Sequence, residues 1–197
     1  MWLKLLLTSA EGGLMATPLA HAAAGIASLA LVRLAMPLPI GATARGLKLL
    51  AMGAACLPDL DLAVSWLLSG NMMRWHSGPS HSLAFALLCV VVSALLTTGR
   101  LRVAIAAIVG MAVTSHVVID LTTGPHWGLH QSFGVPALWP WIDERITSPF
   151  TIFRGVRHGG DLLWLSHHNL ATAASELVFA IPLFIISLRL LRRNCST

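Results

Sequence analysis

The chain is laid down in long apolar runs separated by short polar punctuation, and the runs match the length a bilayer demands. Five of them read as helices. The first extends from about Leu19 to a breaker at Pro37–Pro39. The second begins near Gly46 and continues to about Leu68, interrupted by Leu57-Pro58-Asp59-Leu60-Asp61. The third, Ser80 to Thr98, carries Leu87-Leu88-Cys89-Val90-Val91-Val92 and is the cleanest spanning pattern. The fourth, Leu101 to Leu121, follows a turn at Gly99-Arg100, which predicts an antiparallel hairpin with the third. The fifth runs from about Ala171 to Leu191 and ends in Arg192-Arg193. Each approaches the ~20 residues that cross a hydrocarbon core. No segment alternates in the manner of an outer-membrane barrel. The expectation is a single all-α domain, a multi-pass transmembrane bundle of about five helices.

Between the fourth and fifth runs the pattern changes. Residues 122–171 hold four Pro, four Trp and five His, and such a long connection is usually functional. It is expected to fold over one mouth of the bundle. Residues 1–14 read as a leader, with Met15 as an alternative start.

Composition narrows the class. Hydrophobic residues make up 56% of the 197 and charged ones 11%, against about 25% charged in a soluble domain. That disfavours a soluble globular domain and a disordered tail. The basic residues are too few and scattered for a nucleic-acid face. Three cysteines without CxxC spacing offer neither a disulfide scaffold nor a zinc ribbon.

The basic residues set an orientation. Arg33, Arg45, Lys48, Arg100, Arg102, Arg189, Arg192 and Arg193 fall on one face if the helices alternate, close to helix ends where the positive-inside rule operates. That face, with the C-terminus, is expected to be cytoplasmic. Segment 122–171 and six of the seven tryptophans (Trp66, Trp75, Trp127, Trp139, Trp141, Trp164) then lie on or near the outer face.

The nine histidines and eight carboxylates carry the candidate chemistry. Counted from the basic end of each helix, His21, Asp59 with Asp61, His116 and Glu176 sit at one depth, ~16–21 Å above the basic layer at 1.5 Å per residue. Intramembrane ionisable groups are costly and normally pair or mark a site. His116 and Asp120 are four apart, so imidazole and carboxylate share a helix face. Asp59-Leu60-Asp61 follows a proline that can turn both carboxylates inward. His76-Ser77-Gly78-Pro79-Ser80-His81 places two imidazoles on a tight turn. Imidazole and carboxylate without thiolate suit Zn²⁺, Mn²⁺ or Fe²⁺. Seven or eight donors exceed the needs of one ion and point to two or three, an arrangement that activates water for hydrolysis, often of phosphoesters.

Other readings of the same residues stand beside this one. A bundle histidine can be ordinary hydrogen-bonded packing, Asp59 or Asp61 can cap the helix resuming at Leu62, and Asp120 can cap its own last turn. Glu176 can pair with Arg154 or Arg157. The whole set can also serve an ion or lipid transporter as a relay, or survive in a non-catalytic interaction protein.

His21 after Thr17-Pro18-Leu19, Leu57-Pro58-Asp59-Leu60-Asp61, His76-Ser77-Gly78-Pro79-Ser80-His81-Ser82 and Ser115-His116-Val117-Val118-Ile119-Asp120 occur in that order. Together they resemble the membrane-bound metal-dependent hydrolases called YdjM-like. Leu138-Trp139-Pro140-Trp141 resembles that family's Pro-aromatic element. The family is similar in ligand pattern to zinc phospholipase C and P1-type nucleases, helical enzymes with a trinuclear zinc cluster. The resemblance implies a metal-dependent hydrolase of the bacterial plasma membrane; the topology puts its site near the outer leaflet, where a lipid or lipid-linked phosphoester, the expected substrate, can enter laterally. Its metal ligands would be His21, Asp59, His76, His81, His116, Asp120 and Glu176. Asp61 would be a further ligand or an orienting group, Asp59 and Asp61 the catalytic carboxylates, and Asp59 the general base. The chain departs from the family with Ser77 for the usual Arg, Ser80 for Thr, and Thr172 where the related zinc enzymes have a histidine. His126, His130, His167 and His168 are candidates for that missing donor.

Overall fold

Thr17 and Pro18 start the first helix, α1 (Pro18–Ala35), by complementary means. The Thr17 side chain accepts a hydrogen bond from the Leu19 amide, and a proline at the helix start has no amide to leave unpaired. The structure is a computed structural model that describes residues 15–36, 38, 43–157 and 166–193. The leader 1–14, the breaker prolines Pro37 and Pro39, His158 and Trp164 lie outside the described residues.

The expected second helix is two, α2 (Thr43–Cys56) and α3 (Leu60–Ser69). Pro58 lacks the amide a continuous helix would need. The chain crosses the break through tight turns, with Leu60 N donating to Leu57 O and Asp61 N to Pro58 O. A 3-10 turn, Pro79–His81, precedes α4 (Leu83–Leu96). Ser82 caps α4 by accepting from Phe85 N, so this helix has fourteen residues and is shorter than the Ser80–Thr98 run predicts. A second 3-10 turn, Gly99–Leu101, leads into α5 (Arg102–Leu121). The last helix, α6 (His167–Arg193), begins four residues before Ala171, because Ser166 Oγ accepts from Asn169 N and caps it there. Among the described residues, three helices are long and apolar enough to cross a membrane: α1, α5 with its preceding turn, and α6.

Helix α1 packs on α2, α5 and α6, and α5 packs on α4, α1 and α2, with α4 and α5 forming the expected hairpin. Gly25 lets α1 approach α2, since a Cβ there would collide with the Ala51 carbonyl. Ile26, Leu29, Ala30, Val32, Ala51, Ile108 and Leu191 form one apolar core, and Ala54, Ala55, Ala86, Val109, Ala112 and Val113 a second. Both α1 and α5 bury 56% of their spans and α6 only 22%, so α6 is peripheral. It turns Val178, Ile181 and Ile186 outward, as a lipid-facing helix does.

The fold is mostly helical, as expected, with one addition. Strands β1 (Thr123–Gly124) and β2 (Phe153–Arg154) pair in parallel. Two-residue strands are too short to leave an alternating pattern, so periodicity could not flag them. Isolated bridges Gly128–Thr151 and Val135–Ile146 organise the rest of this outer connection, and Met15–Val156 ties it to the start of α1. Trp66, Trp75, Trp127, Trp139 and Trp141 are all exposed.

Candidate metal centre

Helix α5 carries His116 and Asp120 one turn apart, and His116 Nε2 lies 3.0 Å from Asp120 Oδ2. The Pro58 break turns Asp59 toward them, its Oδ1 3.5 Å from His116 Nε2 and 3.6 Å from His81 Nε2. His81 closes its 3-10 turn with Nε2 3.3 Å from Asp120 Oδ2. From α1, His21 stacks on His116 with ring centroids 3.8 Å apart and sets Nε2 3.5 Å from Asp120 Oδ1. In Asp59, His81, His116 and Asp120, the ligating atoms all lie within 4.8 Å of one another, a grouping that can hold a metal ion.

The polar atoms facing this focus have no hydrogen-bond partner. They are Nε2 of His21, Asp59 Oδ1, His81 Nε2, His116 Nε2 and both carboxylate oxygens of Asp120, and Nδ1 of His21 is likewise buried without a partner. Leaving a buried polar group unsatisfied costs on the order of 1–3 kcal/mol, more when it is charged. A cation among them satisfies the set together. The donors are imidazoles and carboxylates, which fit Zn²⁺, Mn²⁺ or Fe²⁺.

The outward-facing atoms, in contrast, are tied down. His116 Nδ1 donates to the Ala55 carbonyl at 2.7 Å. Asp61 organises the whole turn that carries His76 and His81. Its Oδ1 is 2.5 Å from His76 Nδ1, and its Oδ2 accepts from Ser80 Oγ at 2.5 Å and Ser77 N at 3.2 Å. His81 Nδ1 lies 3.4 Å from the same Oδ2. Asp61, His76 and His81 also form a grouping able to hold an ion, but Asp61 is already engaged by this many donors, which favours its orienting role. His76 Nε2 abuts Met15 Sδ.

Neither grouping includes Glu176. Its Oε1 accepts from Thr17 N at 2.7 Å, and its Oε2 takes the Thr17 hydroxyl, so it holds the first turn of α1. Arg154 does not pair with it either, since Nη2 of that arginine meets His168 Nδ1. The capping alternative for Asp59 does not materialise, because its side chain makes no cap hydrogen bond to α3. Among the candidate replacement donors, His168 Nε2 donates to Gly155 O, His126 and His130 meet edge to face at 6.0 Å, and none joins the focus. Thr172, on the α6 face shared with Glu176, is fully buried with its hydroxyl unpartnered.

Three participants escape the sequence reading. The Ala55 carbonyl is backbone and leaves no side-chain signal. The Thr17–Glu176 clamp joins positions 159 apart. The third is Arg145, an arginine of the outer connection. Its Nη1 donates to Ser77 O at 3.1 Å, its Nη2 to Ser77 Oγ at 2.8 Å and Gly134 O at 2.5 Å, and its Nε to Phe133 O at 3.3 Å. Desolvation lowers the pKa of Arg145, and the Asp120 carboxylate works in the opposite sense.

Residues 15–194 match the family model described as YdjM inner membrane protein. The chain belongs to that family of inner membrane proteins. No curated protein and no solved structure matches it.

Proposed function

We propose that this member of the YdjM family is a membrane-embedded, metal-dependent hydrolase acting on a lipid-linked phosphoester. The observation that carries the proposal is the convergence of unpartnered buried atoms from His21, Asp59, His81, His116 and Asp120. These five residues would hold the metal. Asp120 offers one oxygen to His21 and the other to His81 and His116, an arrangement suited to a pair of ions. A bound divalent cation supplies charge that polarises a phosphoryl oxygen and acidifies a water.

The chain's own residues supply the rest. Asp59 is the base, taking a proton from the attacking water on its carboxylate. Its side chain keeps 16% exposure, against 4% for Asp120, so it is the carboxylate of the focus best open to solvent. Asp61 is comparably open at 14%, but its oxygens are occupied by His76, Ser77 and Ser80. It holds His81 with Nε2 facing the focus.

The lipid assignment draws on a cleft of about 1010 Å³ between α1, α4 and α5. Ala24, Leu83, Val118 and Ile119 line it, each within a turn of His21, His81 or His116, and it runs along α5 to Arg102. It is almost wholly apolar and suited to a hydrocarbon chain whose head reaches the metal centre. By the distribution of basic residues, the centre opens toward the outer leaflet.

The test is elemental analysis of the purified full chain together with phosphate release from phosphoester lipids. At least one Zn, Mn or Fe per chain and hydrolysis that is lost on chelation and regained on re-addition are expected. A chain purified without chelator that holds no transition metal, or a loaded chain that hydrolyses nothing, overturns the proposal.

A further inference from the structure

Arg145 is held more rigidly than an exposed arginine needs to be. A guanidinium has five N–H donors. The Nε donor and both Nη2 donors are used, and one of the two on Nη1. One N–H on Nη1 remains. The backbone beneath it is fixed as well, because Ile146 and Val135 exchange both backbone hydrogen bonds, at 2.9 and 3.0 Å. The residue it grips, Ser77, has φ 55°, a left-handed conformation uncommon outside glycine. Ser77 sits directly after His76 and gives its amide to Asp61. Arg145 is therefore built onto the turn that carries two of the site's histidines.

Its charge is left over. All its acceptors are carbonyl oxygens or a hydroxyl, and none of the described carboxylates lies within ion-pair reach of it. The residue is exposed. A strut that only fixes a turn does not need a formal charge, and neutral donors would bridge Ser77 to Gly134 at less desolvation cost. A fixed guanidinium without an ion-pair partner, keeping one free N–H, can give an oxyanion one charge-assisted hydrogen bond.

We infer that Arg145, anchored on Ser77 and Gly134, forms an anion subsite at the edge of the metal centre and receives the phosphate of the substrate. This rests on the metal-centre reading of the preceding subsection and extends it, naming Arg145 as the residue that restricts substrates to anionic ones.

The probe is inorganic phosphate, titrated into the purified, Co²⁺-loaded full chain and read in the visible ligand-field spectrum. Wild type is expected to bind phosphate. Arg145→Gln should bind it roughly tenfold more weakly, the loss expected for one charge-assisted hydrogen bond, with Co²⁺ stoichiometry unchanged. Arg145→Lys, which keeps the charge but not the fork, should fall between them. Equal phosphate affinity in wild type and a Co²⁺-replete Arg145→Gln protein overturns the inference and leaves the metal reading intact. Loss of Co²⁺ from Arg145→Gln overturns it too, since the arginine is then a strut of the turn. A wild-type chain that takes up no Co²⁺ defeats the metal reading itself, and the subsite falls with it.

Discussion

His116 Nδ1 donates to the Ala55 carbonyl at 2.7 Å, and because a carbonyl only accepts, this bond fixes the imidazole tautomer. The proton sits on Nδ1, and the lone pair of Nε2 points at Asp59 and Asp120. A backbone oxygen at the end of α2 thus sets the ligating nitrogen on α5, the usual device by which metal-binding histidines are oriented.

Removing that nitrogen should empty the site. His116→Ala is expected to drop bound metal below about a tenth of wild type, because the loss of a ligand exceeds the ~10–100-fold effect of losing an orienting partner. Hydrolysis should disappear with it. Elemental analysis decides, and a His116→Ala protein with stoichiometric metal would be incompatible with the ligand assignment.

Asp61 should behave differently. It grips His76, Ser77 and Ser80 without facing the focus, so Asp61→Asn is expected to weaken metal affinity by ~10–100-fold while leaving the site fillable at high metal. Competition with a chromogenic chelator measures this, and an unchanged affinity would remove Asp61 from its orienting role.

Asp59→Asn separates binding from chemistry. Four donor residues remain, so at saturating metal the site should fill. The loss of the base should cost ~10²–10⁴ in kcat. Turnover equal to wild type at full occupancy would transfer the base to another group.

The Thr17–Glu176 clamp predicts a stability effect without a metal effect. Thr17→Ala removes both the cap on Leu19 N and the hydroxyl bond to Glu176. It should destabilise the chain by ~1–2 kcal/mol, and Glu176→Gln should do likewise. Both variants are expected to keep their metal. Thermal unfolding in detergent followed by elemental analysis checks the pair, and metal loss in Glu176→Gln would restore that residue as a ligand.

The apolar cleft predicts dependence on chain length. Ala106→Phe intrudes on its wall along α5. Hydrolysis of long-chain phosphoester lipids should fall several-fold, while that of a short-chain analogue should be unchanged. An equal effect on both would detach the cleft from substrate binding.

Much of this site is legible in order and spacing. The i, i+4 pair His116 and Asp120, the proline before Asp59 and the common depth of His21 and His116 all follow from helix geometry, and the structure brings these residues together. Depth counting assigns Glu176 to the same level, but depth carries no azimuth. Which way a carboxylate faces at that level depends on how α6 packs, and α6 delivers Glu176 to the amide of Thr17. The start of α6 could have been found from Ser166 alone, since a serine ahead of a helical run is a capping signal. Arg145 and the two-residue strands could not, because their partners are mostly backbone atoms fixed only when the outer connection folds.

The clamp between Thr17 and Glu176 has a consequence in time. Synthesis delivers α1 to the membrane first, yet the carboxylate that fastens its opening turn emerges 159 positions later. Until α6 is inserted, the amide and hydroxyl of Thr17 lack their carboxylate partner. A truncation that spares every donor but stops short of α6 should therefore leave the translocon with the opening turn of α1 unfastened.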